Sequence, residues 1–227
     1  MTDAVPPPPT PARIRVWDVP TRLIHWLVVL LVVFSWWTAR NSHLEWHRWS
    51  GYTLLGLVVF RLYWGIAGSS TAKFREFVRG PRAIAIYLKG GWTEVPGHNP
   101  LGALSVLALL ALLTTQVVLG LFAVDVDGIE SGPLSTYVSF EAGRAAAEWH
   151  ETVFNVLVGV VVLHVAAVGY YVFFRKQALV AAMVHGLRAY PEPQPQSMRS
   201  ASVLRFVIGV LLAAGLTWMV TRAFQFG

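Results

Sequence analysis

The sequence predicts an all-α integral membrane protein with five spanning helices. Three observations carry this. The 227 residues are 55% hydrophobic and 13% charged, against about 25% charged in soluble domains. Five apolar runs approach or exceed the roughly 20 helical residues that a hydrocarbon core takes. The segments between them alternate between basic and acidic excess, as loops on opposite sides of a membrane do.

The chain opens with a polar, Pro-rich tail, Met1 to Arg15, in which Pro6 to Pro9 are consecutive. That composition predicts disorder. The first apolar run is Leu23 to Thr38. Arg13, Arg15 and Arg22 precede it as they would a signal peptide, but Trp36 and Trp37 stand where small cleavage-site residues belong, so an uncleaved helix is expected. The second run starts at Trp46-His47-Arg48-Trp49, continues to Ala67 and is closed by Gly68-Ser69-Ser70-Thr71. A basic loop follows, with Lys73, Arg75, Arg79, Arg82 and Lys89 against Glu76 and Glu94. Its residues 81–88 predict a short helix lying at the interface. Asn99 and Pro100 supply an N-cap and a first helical position for the third run, which extends to Val124.

The next loop, Asp125 to Glu148, is acidic: Asp125, Asp127, Glu130, Glu141 and Glu148 face Arg144 alone. Trp149 to Phe174 is the fourth run. Arg175, Lys176, Arg188 and Arg199 follow, with only Glu192 opposing, and Val203 to Val220 is the fifth. The positive-inside rule places the N-terminus and both basic loops in the cytoplasm, and five spans place the C-terminus on the opposite side. The net charge of +6 therefore needs no nucleic acid to explain it. Trp17, Trp26, Trp46, Trp49, Trp92 and Trp149 fall near the expected interfaces, as an aromatic belt does.

There are no cysteines, which excludes c-type haem attachment, iron–sulfur ligation and disulfides. Histidine is left as the residue of interest. His43, His98 and His185 lie in loops or at helix ends and read as solvated side chains. His25, His47, His150 and His164 lie inside or at the edge of apolar runs, where an imidazole is costly without a partner. His150 and His164 are fourteen residues apart, close to four turns, so both point to one helix face about 21 Å apart. Depth then pairs His47 with His150 at the outer side and His25 with His164 at the inner side. The second pair is uneven. His25 follows Arg22 by three residues and His164 precedes Arg175 by eleven, a mismatch of about 12 Å. The first helix must start earlier than its apolar run, tilt, or sit lower.

Two facing pairs of imidazoles, without thiolate or carboxylate, favour six-coordinate haem b over zinc, which normally takes at least three protein ligands. Gly51, one turn from His47, and Gly159, between His150 and His164, make room for a porphyrin or for close helix packing. Arg61 lies fourteen residues after His47, on the same face at the depth of the inner pair. Either it meets a haem propionate or it snorkels to the interface.

Leu23-Ile-His25-Trp-Leu, Trp46-His47-Arg48-Trp49-Ser-Gly51, Phe60-Arg61-Leu-Tyr-Trp-Gly65, Gly97-His-Asn-Pro-Leu-Gly102 and Trp149-His150-Glu-Thr-Val-Phe-Asn with Leu163-His164 together resemble the bacterial cytochrome b561 family, which includes b-type cytochrome subunits of nickel–iron hydrogenases. The resemblance implies a four-helix transmembrane bundle over 16–186 holding two haems b, with His25, His47, His150 and His164 as axial iron ligands. It leaves 1–15 as a tail, 187–202 as a cytoplasmic linker and 203–227 as an extra helix outside the four-span core.

The resemblance also implies a bacterial inner-membrane protein that moves electrons between quinone and a periplasmic partner, such as a hydrogenase or other reductase subunit, a small c-type cytochrome, or superoxide itself. No residue of the chain is singled out as catalytic. Ser69, Ser70, Thr71 and His98 are candidates for quinone contact on the inner side. The alternatives are a stand-alone quinol or superoxide oxidoreductase, and a histidine-lined transporter of metal or protons. Transporters of that kind carry carboxylates within their spans, and none lies deep within these runs. The fifth helix could dock a partner, cover lipid-facing haem surface or support a homodimer.

Overall fold

The computed structural model describes residues 13–92, 95–127, 130–190 and 195–223. The tail up to residue 12, Glu94 and Glu192 lie outside the described residues. Five helices are long and apolar enough to cross a membrane: α1 (Val19–Arg40), α2 (Leu44–Ala67), α5 (Pro100–Phe122), α6 (Phe140–Phe173) and α8 (Val203–Ala223). Shorter helices stand between them: α3 (Phe74–Phe77), α4 (Pro81–Leu88) and α7 (Leu179–His185). The short helix expected over 81–88 is α4. α3 and α7 are too short to show a period in the sequence.

The helix starts follow from local chemistry. Asp18 caps α1, its carboxylate accepting from the Thr21 N–H at 2.8 Å, with Pro20 in the first turn. Asn99 caps α5 in the same way, accepting from the Gly102 N–H at 2.7 Å. Ser139 caps α6, so this helix begins nine residues before Trp149, the first residue of its apolar run. Its 34 residues measure about 51 Å, longer than a hydrocarbon core of about 30 Å. The last nine residues of the expected acidic loop are therefore helix. The part that remains loop folds back on the end of α5. Val124 bridges to Ser131, and a Cβ on Gly132 would fall 2.4 Å from the Gly120 carbonyl oxygen. Arg48 in α2 pairs with Glu130 across this loop.

The expected tail and linker differ as well. Arg13–Arg15 is not disordered tail but a strand, β1, antiparallel to β2 (Leu187–Ala189), which begins the expected linker. Both segments leave the bundle at the same end, and burial of Val16 and Tyr190 holds them together. The Val16 N–H donates to the Gly186 oxygen at 2.8 Å and closes the ribbon.

α2 is central, packing against α1, α5 and α8, while α5 packs against α6. One apolar layer joins four helices. Val58, Leu113 and Leu157 are buried together, with Val28, Val32, Leu109 and Leu112 against them. The fifth long helix, α8, lies on the outer side of α2. Phe206, Gly209, Ala213 and Thr217 recur at three- and four-residue spacing and so share one face. The Phe206 ring meets Phe60 at 5.7 Å and Trp64 at 6.2 Å, both edge-on, and a Cβ on Gly209 would sit 2.7 Å from Tyr63.

Candidate functional site: two imidazole pairs in the helix bundle

The rings of His47 and His150 face each other across the bundle, centroids 6.0 Å apart and planes at 85°. Each is oriented from behind. The Nδ1 of His150 lies 2.9 Å from the Gln116 carbonyl oxygen, and that of His47 lies 2.9 Å from the Ser35 carbonyl oxygen and 3.0 Å from Ser35 Oγ. A carbonyl only accepts, so each Nδ1 carries the proton and each Nε2 keeps its lone pair. That is the tautomer a metal-binding histidine needs. Gly120 stands directly behind the His150 ring: a Cβ there would be 3.0 Å from His150 Cε1.

At the basic end, His164 Nδ1 pairs with Ser105 Oγ at 3.0 Å. His25 sits edge-on to Trp26 at 5.1 Å. Because α1 begins at Val19, His25 lies six residues inside its start and His164 nine residues inside the end of α6. The depth mismatch shrinks to three residues, about 4.5 Å. An early helix start resolves most of it. Leu157, midway between His150 and His164 along α6, belongs to the buried apolar layer.

Arg61 Nη1 is buried and meets no hydrogen-bond partner among the described residues, and its guanidinium carbon lies 5.1 Å from the centre of the Phe74 ring. Arg61 therefore points into the protein rather than snorkelling to water. Gly51 and Gly159 both border open space, with no atom within 4 Å of an added Cβ.

His98 departs from the reading of a solvated loop side chain. Its ring is clasped between Trp17, at 4.7 Å, and Phe77, at 4.6 Å. Its Nδ1 is shut off from solvent without a partner among the described residues. Burial pushes this imidazole down to about 3, with Arg61, His164 and His25 adding to the effect in that order. His98 thus sits within electrostatic reach of the inner pair. Of the other inner-side candidates, Ser70 exchanges hydrogen bonds with Arg199, and Thr71 Oγ1 donates to the Val16 oxygen at 2.6 Å. Both are engaged in holding the basic end together. Ser69 Oγ is buried and unpartnered among the described residues. His43 and His185 are exposed, as expected.

The family model of prokaryotic cytochrome b561 matches residues 16–186. The chain belongs to the prokaryotic cytochrome b561 family. It is also similar to a probable Ni/Fe-hydrogenase B-type cytochrome subunit of Azotobacter chroococcum mcd 1, 24% identical over 220 residues, covering 80% of this chain and 91% of that protein. Membership of the b561 family implies b-type haem, electron transport and a membrane location. The residues that orient the imidazoles in this b561-family chain were missed in the sequence. Ser35 and Ser105 carried a signal, being hydroxyls inside apolar runs. Gln116 and Gly120 did not, because Gln116 acts through its main-chain oxygen and Gly120 through what it lacks.

Proposed function

We propose that the chain conducts electrons across the bacterial inner membrane through two haems b, one between His47 and His150 and one between His25 and His164, in a bundle of α1, α2, α5 and α6. The spacing of the outer pair is the observation that carries this. Two metal–nitrogen bonds of about 2 Å each account for some 4 Å of the 6.0 Å between ring centroids, and the ring radii account for the rest. Among the described residues no group of three His, Cys, Asp or Glu gathers as a metal site, which favours two-ligand haem over zinc. Arg61 Nη1, buried and unpartnered among the described residues, fits a propionate at the inner site, and the open space beside Gly51 fits porphyrin bulk. Haem held by these histidines would supply a one-electron couple.

The chain's own residues do the rest. Backbone oxygens of Ser35 and Gln116 hold the outer imidazoles in the ligating tautomer, and Ser105 steadies His164. The layer of Val58, Leu113 and Leu157 keeps the space between the two sites dry. Quinone exchanges electrons at the basic, cytoplasmic end, where His98 lies within electrostatic reach of the inner pair. A protein partner docks at the periplasmic end, and similarity to a hydrogenase cytochrome subunit supports a partner of that kind. Asp125, Asp127 and Glu130 at that end disfavour superoxide, an anion, as the outer reactant.

Anaerobic addition of ubiquinol or menaquinol to the purified chain tests the reading. Reduction of the haem bands by at least one of them is expected, slowed by His98→Phe. Haem bands that respond to neither quinol, and to neither quinone after chemical reduction, would rule it out.

A further inference from the structure

A cavity of about 360 Å³ opens at the basic end, where the start of α1, β2 and the start of α8 come together. None of the four paired histidines lines it. Its lining combines two chemistries. Trp64 and Phe206 are aromatic; Arg15, Arg22, Ser200 and Ser202 are cationic or hydroxylic.

The charge in this cavity is unbalanced. Arg22 is held in place by neutral acceptors, its Nε donating to the Asp18 main-chain oxygen at 3.4 Å and its Nη1 donating to the Val184 oxygen. Asp18 also lines the cavity, but both its carboxylate oxygens are engaged, one by the Thr21 N–H and the other by Trp64 Nε1, each at 2.8 Å. Among the described residues neither Arg15 nor Arg22 makes an ion pair with a carboxylate. Two guanidiniums against the single carboxylate of Asp18 leave net positive charge at the end of a membrane-spanning bundle; with one guanidinium fixed and an aromatic wall beside them, they match an anionic head joined to an apolar body. The N-terminal end of α8 adds partial positive charge at the same place.

We propose that this cavity binds the phosphate group of an anionic amphiphile, a phospholipid headgroup of the leaflet at the basic end, with Arg15 and Arg22 on the phosphate and Trp64 and Phe206 against its apolar portion. The fifth helix then has a role of its own. It completes a lipid site that α1 and the β1–β2 ribbon alone leave open.

The test is binding to the full-length chain in detergent, measured by native mass spectrometry and thermal shift. The probes are short-chain phosphatidylglycerol, phosphatidylcholine and inorganic phosphate. Phosphatidylglycerol binds more tightly than phosphatidylcholine, and Arg15→Gln with Arg22→Gln weakens it about 25-fold, about fivefold for each basic group removed. Arg82→Gln with Lys89→Gln removes the same charge outside the cavity and leaves binding unchanged. Ser200→Glu keeps every hydrogen bond of Arg22 and weakens binding by placing a carboxylate in the cavity. It serves as the folded variant if the double arginine change misfolds. Inorganic phosphate binding with the same arginine dependence would assign the site to a soluble phosphate source. Binding by none of the three probes, phosphatidylcholine binding as tightly as phosphatidylglycerol, or equal weakening by the two charge-removal pairs would overturn the site.

Discussion

Gly120→Ala probes the outer site without touching a proposed ligand. The added Cβ would lie 3.0 Å from His150 Cε1 and 3.3 Å from Nδ1, where ordinary carbon contacts need about 3.5–4.0 Å. The ring must give by roughly half an ångström, while its Nδ1 is tied to the Gln116 oxygen at 2.9 Å. Metal–ligand distances tolerate about 0.2 Å, so the imidazole cannot keep both its hydrogen bond and its place opposite His47. Loss of that orienting bond costs about 0.5–1.5 kcal/mol, and comparable changes behind a metal ligand lower metal affinity about 10–100-fold. The assay is redox potentiometry with haem quantitation on the purified variant. One haem transition weakens or disappears and the other stays in place. Two unaltered transitions at full occupancy would refute the geometry of the outer site, and selective loss at the inner site would refute the pairing.

His164→Ala should remove the inner haem and spare most of the outer one, read by haem content and by the surviving potential; equal loss of both in a folded protein contradicts the pairing. Arg61→Gln removes a positive charge beside the inner pair, so the midpoint potential there should fall by on the order of 40 mV, the one-electron equivalent of about 1 kcal/mol, with the other potential unmoved. His98 is held neutral, with its imidazole pushed from 6.5 down to about 3 by burial first. The unfolded chain binds this proton more readily, so its contribution to stability is whole above pH 6.5 and is lost as pH falls from there toward 3. His98→Phe should flatten acid sensitivity in that window, measured by thermal unfolding across pH.

Most of the helical architecture was legible in the sequence because lipid imposes a simple rule: each span is an apolar run of set length. What escaped has physical causes. α6 starts at Phe140 because Ser139 caps it and Ala145 to Ala147 sustain it, all outside the apolar run. α1 starts at Val19 because Asp18 and Pro20 begin a helix ahead of the first apolar stretch. The early start removes most of the depth conflict between His25 and His164. Arg13–Arg15 reads as tail, since a three-residue strand exists only through a partner more than 170 residues away in the sequence. The paired histidines were visible as isolated polar groups in apolar runs. His98 was not, since its burial comes from Trp17 and Phe77, which approach it from separate segments. The orienting oxygen of Gln116 belongs to the main chain and leaves no mark on side-chain pattern.

Two metal sites in one chain are the central claim, and a haem-to-chain ratio measures them most directly. Pyridine haemochrome absorbance set against amino-acid analysis, on protein expressed with ample haem, should give two non-covalent b-type haems per chain. A ratio of one would remove one imidazole pair from the account. A colourless, folded protein would contradict it.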